Sequence, residues 1–129
     1  MTESDERMLN TFERKLLRII FGPVNIDGEW RTHYNHELYS MYTEALISNK
    51  VRAQRLRWLG HIARMDESSV AKRVFERNPN GISGRGRPKV RWKDSVVEDY
   101  TKLGTGTAWR TAAMDRTVWR GLVHQARDN

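Results

Sequence analysis

The sequence predicts an all-α fold: a small domain of five or six helices with a Gly/Arg/Pro-rich loop between two of them. Three observations carry this. Apolar residues recur at steps of three and four in successive stretches. Gly, Pro and Asn fall between those stretches, where helices stop. No stretch alternates apolar and polar residues long enough for a strand, apart from a few residues of one link. At 129 residues the expectation is a single helical domain over 1–129, with a flexible acidic tail at 1–4 and an inter-helix loop at 78–88.

The elements follow in order. Met8, Leu9, Phe12, Leu16, Ile19 and Ile20 recur at helical spacing and predict a helix over 5–21. Gly22-Pro23 ends it, because proline cannot continue the hydrogen-bond ladder. A link with a turn at Asp27-Gly28 leads to a short helix over 34–42. The longest pattern runs from Glu44 to Met65, with Val51, Trp58, Ile62 and Met65 in one stripe and Leu56, Leu59 and Ala63 beside it. Ser68 is placed to cap a helix over 69–77, with Val70, Ala71, Val74 and Phe75 inward and Lys72, Arg73 and Arg77 outward. Asn78-Pro79-Asn80-Gly81 terminates it. Pro88 suits the first turn of the next helix, where its missing N–H costs nothing; Trp92, Val96, Tyr100 and Leu103 follow at helical steps. A last helical region over 108–127, broken near Asp115, carries Trp109, Ala112, Ala113, Val118, Trp119, Leu122, Val123 and Ala126.

Composition narrows the function classes. The net charge is +7 and the pI about 10.1, which favours a polyanionic partner. The charge is concentrated. Residues 50–93 hold 13 Lys/Arg against 3 Asp/Glu, a net of +10, whereas the rest hold 10 against 13. The absence of cysteine removes disulfides, Cys-type zinc sites and thiol chemistry. No apolar run approaches the roughly 18 residues of a membrane span, and the acidic start is unlike a secretory signal or mitochondrial presequence.

Within the basic block two features stand out. Lys50, Gln54, Arg57, His61 and Arg64 follow at steps of four, three, four and three, one polar-basic stripe along a helix. It reads either as an ordinary solvated face or as a ridge that tracks phosphates and displaces counterions. His61 joins as a donor most strongly at acidic pH. The second feature is Arg85-Gly86-Arg87-Pro88, which has the form of an AT-hook. Glycine carries no Cβ to strike a groove floor, so flanking arginines can enter a narrow minor groove. A solvated inter-helix loop is the alternative. The nucleic-acid-binding set is therefore Lys50, Arg57, His61, Arg64, Arg85, Arg87, Lys89 and Arg91.

Other groupings are weaker. His33 and His36 have a metal-like spacing but no third ligand nearby, so capping or packing roles are expected. Asp94, Glu98 and Asp99, beside Lys93 and Lys102, read as a solvated charged face. The five tryptophans read as core anchors first, with Trp58 and Trp92 the better placed to meet a base.

Four stretches together resemble a known family: FERKLLRIIFGP over 12–23, RLRWLGHIARM over 55–65, GRGRPK with Trp92 over 84–92, and DRTVWR over 115–120. In this order they are similar to the C-terminal segment of endonuclease-reverse transcriptases from non-LTR (LINE-type) retrotransposons, over roughly residues 12–127. The Tyr-x-Asp-Asp pair of the polymerase palm is absent from this chain. Nor does a carboxylate and histidine cluster suited to a two-metal nuclease appear. The resemblance thus implies a non-catalytic remnant that helps hold template RNA or target DNA. The expected location, a separate expectation, is intracellular and compatible with the nucleus.

The expectation is a nucleic-acid-binding module, DNA or RNA undecided, with no enzymatic role, no cofactor, no metal and no membrane. The alternatives are a protein-interaction or assembly module, self-associating or docking a partner through apolar helix faces, and a retroelement relic with no selected function.

Overall fold

The computed structural model describes residues 1–77, 86 and 91–128. Among them are seven helices and one small hairpin: α1 (Glu3–Phe21), β1 (Val24–Ile26), β2 (Glu29–Arg31), α2 (Asn35–Tyr42), α3 (Ile47–Ala63), α4 (Val70–Glu76), α5 (Trp92–Thr101), α6 (Trp109–Met114) and α7 (Arg116–Asp128). The all-α expectation holds, and the break near Asp115 divides the last helical region into α6 and α7. There Asp115 Oδ1 accepts from the Thr117 and Val118 N–H groups at 2.8 and 3.1 Å, capping α7. The link after α1 is an antiparallel pair with Val24 opposite Arg31 and Ile26 opposite Glu29.

Helix α3 is the axis on which the others pack. It touches α1, α4, α5, α6 and α7. The core joins its Leu56, Leu59 and Ala63 to Val96 and Tyr100 of α5, Ala112 and Ala113 of α6, and Trp119 and Ala126 of α7. Trp119 locks this arrangement. Its ring stacks on Tyr100 with centroids 5.6 Å apart and planes at 13°. Its Nε1–H donates to the Leu56 carbonyl at 2.9 Å. The indole lies against Gly60, where a Cβ would stand 2.1 Å from Nε1. Only glycine permits that approach.

Charged residues tie the remaining helices to α3. Arg52 pairs with Glu6 of α1. Arg55 reaches Asp99 at 2.9 Å and Ser95 Oγ at 2.7 Å, both on α5. The buried Glu13 carboxylate accepts from Tyr39 O–H and from Ile47 N–H, each at 3.3 Å, which starts α3 at Ile47 rather than at Glu44.

Four expectations are corrected, and the apolar stripe of α1, whose facing the spacing left open, is located. Residues 3–4 belong to α1, because Thr2 forms a capping box with Asp5 and the Met1 ammonium donates to Ser95 Oγ at 2.7 Å. The apolar stripe of α1 faces outward: Met8, Phe12, Ile19 and Ile20 are exposed, Ile19 by 78%. The helix instead docks through Glu6, Glu13 and Leu17. Helix α4 departs from expectation at four positions, although Phe75 does pack against the core and Arg73 and Arg77 do face out. Val70, Ala71 and Val74 are exposed while Lys72 is buried. Lys72 Nζ donates to the carbonyls of Ala63 and Met65 at 3.2 and 2.9 Å and pairs with Glu67. The unpaired carbonyls at the end of α3 need a donor, and a lysine supplies it. Asp99 is buried against Arg55 rather than solvated, although Glu98 does pair with Lys102 on the surface. Of the tryptophans, Trp119 is a core anchor and Trp109 packs against the core, but Trp30 is exposed; Trp58 and Trp92, the two set apart as better placed to meet a base, are exposed as well. Helix α5 begins at Trp92 with Arg91 as its N-cap residue; Pro88 lies outside the described residues.

Candidate nucleic-acid interface

The packing of Trp119 and Ala126 fixes the rotation of α7 about its axis. Residues 116, 120, 123, 124 and 127 then fall on the flank beside the buried face. On α3, burial of Ala53, Leu56, Gly60 and Ala63 places Lys50, Arg57, His61 and Arg64 on a matching flank. The two helices run antiparallel. Lys50 at the start of α3 and Arg127 at the end of α7 both reach the Glu44 carboxylate, at 3.0 and 3.1 Å. At the other end Arg64 donates to the Ala113 carbonyl, one turn from Arg116.

Between these flanks lies a groove of about 640 Å³. Lys50, Arg57, His61 and Arg64 line one wall; Arg116, Arg120, His124 and Arg127 line the other. Ala53, Trp119 and Val123 contribute apolar surface, and no carboxylate is among the lining residues. Glu44 at one end accounts for Lys50 and Arg127. Its bond holds the Lys50 ammonium above its ordinary pKa, and Lys50 foremost holds the Glu44 carboxyl below its own. Burial, and then the nearby Arg116 charge, lowers the Arg64 guanidinium from its usual value. Arg57, Arg116 and Arg120 have no carboxylate partner among the described residues. Chemically this is a cationic trough with an apolar lining, suited to a chain of anions.

Four of the residues singled out from sequence, Lys50, Arg57, His61 and Arg64, are thus brought together on one wall. Arg91 is not with them; it is exposed at the start of α5. Arg85, Arg87 and Lys89 lie outside the described residues. Gly86 has φ 139, a backbone conformation that favours glycine, and a Cβ there would meet nothing within 4 Å among the described residues. Trp92 packs edge-on against Phe75 at 6.2 Å, and His36 stacks on Tyr34. The α7 wall escaped the sequence reading. Its signal is the spacing of Arg116, Arg120, His124 and Arg127 at four, four and three, obscured because acidic residues elsewhere cancel those charges in any regional sum.

Over 86 residues, 63% of this chain, the sequence is 30% identical to a relative from Caenorhabditis elegans. That relative is named as a transposon-derived protein. The chain covers 31% of the relative's length. No protein-family model and no solved structure matches the chain. Among the described residues no helix is long and apolar enough to cross a membrane.

Proposed function

We propose that this chain is a non-catalytic nucleic-acid-binding module, resembling the C-terminal part of a retrotransposon reverse transcriptase. DNA or RNA backbone lies in the α3–α7 groove, and the Arg85-Gly86-Arg87-Pro88 segment adds a second contact. One observation supports the reading: six Lys and Arg side chains line one groove, and the only carboxylate that the described residues bring to them, Glu44 at one end, pairs with just two, Lys50 and Arg127. Phosphates supply the missing counter-charge, and displaced counterions drive binding. The similarity to a transposon-derived protein supports it, since such elements handle nucleic acid.

The test is fluorescence anisotropy with a labelled oligonucleotide at 50 and 200 mM salt. Affinity is expected to fall steeply with salt. Replacing Arg57 and Arg120 together by Ala is expected to weaken binding at least about tenfold and to lower the log–log salt slope by about 1.4 for a single strand or about 1.8 for a duplex. Absence of binding at low salt, or a double variant indistinguishable from wild type, overturns the proposal. For the Arg85/Arg87 segment, an A·T duplex is expected to outcompete a G·C duplex.

A second reading, a protein-interaction module, rests on the outward apolar face of α1. Met8, Phe12, Ile19 and Ile20 there are available to a protein partner or a second copy. Light scattering separates the two: mass that rises with concentration, together with no affinity for nucleic acid, favours this reading.

A further inference from the structure

We infer that the groove takes unpaired nucleotides: a single strand whose backbone lies between α3 and α7 while a base stacks on Trp58. This rests on the nucleic-acid reading above and names the form of nucleic acid recognised. Two independent observations point to it.

The first is the size of the groove. At about 640 Å³ it falls within the range of small-ligand clefts and has room for a couple of nucleotides. Helices packed side by side stand only about 8–10 Å apart. A duplex can graze the rim of such a trough but cannot enter it. A single strand can lie in it and meet cations from both walls.

The second is Trp58. It follows Arg57 and precedes His61 by one turn, so it stands at the edge of the basic stripe. Its side chain is outside the core cluster and 56% exposed. Its neighbour on the groove side is His61, edge-on at 5.6 Å and 74°, which leaves ring surface uncovered. An exposed indole beside a cationic trough offers the two things an unpaired nucleotide needs, a π-face and a counter-charge. A duplex keeps its bases stacked inside and presents no face to that ring.

The experiment uses the full chain with three fluorescein-labelled probes of one mixed sequence: a 12-nucleotide DNA strand, the RNA strand, and the blunt DNA duplex. Anisotropy at 100 mM salt is expected to show a single strand bound at least about tenfold more tightly than the duplex. The duplex has the higher charge density, so phosphate attraction alone gives the opposite order. Trp58→Ala is expected to weaken the single strand by roughly 5- to 150-fold, the range of one lost stacking contact. It is expected to leave duplex binding and the salt slope unchanged, with Trp58→Phe keeping most of the affinity. Circular dichroism confirms that the exposed substitution folds. A duplex that binds as tightly as the strands, or a Trp58→Ala variant that binds strands like wild type, overturns this inference and leaves the nucleic-acid reading intact. Failure to bind any probe overturns both.

Discussion

Gly60 and Trp119 make the tightest constraint on the groove, because they set how closely its two walls approach. The indole occupies the space a side chain at position 60 would take, and its N–H adds a second hydrogen bond to the Leu56 carbonyl within α3. Gly60→Ala therefore forces the ring away from Tyr100 and breaks that bond. The expected loss is about 2–3 kcal/mol, more than the small gain in helix propensity from Ala, and urea denaturation measures it. A second residue sets the groove's charge. Glu44 holds Lys50 and Arg127 at one end and is the carboxylate those two cations share. If the proposed nucleic-acid reading holds, Glu44→Gln frees both for phosphate. Oligonucleotide affinity is expected to rise a few-fold, with a steeper salt slope, in the anisotropy assay. Unchanged affinity would place the bound strand away from that end.

At the scale of elements, periodicity showed which residues share a face but not always which face is inside. The basic stripe of α3 was legible because its spacing is regular over 15 residues and its buried flank holds Leu56 and Leu59. α1 has an equally regular apolar stripe, yet it docks through Glu6, Glu13 and Leu17. A pattern cannot announce that a carboxylate is needed at the start of another helix. α4 misled for a related reason: in seven residues one lysine serving the end of α3 outweighs two valines. The hairpin–α2 junction gives an element-scale prediction. The Arg31 guanidinium, and then the Tyr34 N–H, hold the Glu37 carboxyl down to about 2 from its ordinary 4.5. A depressed carboxylate stabilises the folded form at pH values above 4.5, and that contribution is lost as pH falls from there toward 2. Thermal melts across this window are expected to show a downward slope that Glu37→Gln reduces. A carboxyl resonance of Glu37 titrating at 4.5 in the folded protein would refute the assignment.

For the whole molecule, the groove is a cost in the absence of a ligand. Arg57 on α3 and Arg116 and Arg120 on α7 line the same groove without a carboxylate partner among the described residues, in a chain whose net charge is already +7. Like charges brought together by folding repel, and salt screens that repulsion within about 10 Å at 0.1 M. The interactions that oppose it lie elsewhere: the Trp119 stack, the Arg55–Asp99 pair and the Lys72 cap. On the proposed reading the fold holds these charges together for an anion, and a bound anion would offset their repulsion. Melting temperature is expected to rise by a few degrees between 20 and 200 mM NaCl, and further with a short oligonucleotide present, because a ligand of the folded state stabilises it. The triple variant Arg57→Gln, Arg116→Gln, Arg120→Gln is expected to be more stable than wild type at 20 mM NaCl and nearly indifferent to salt. It is also expected to lose the oligonucleotide-induced rise. That pairing of gained stability with lost binding is the discriminating result. A solvated surface of unrelated arginines predicts no gain, and three arginines needed to hold the fold predict a loss.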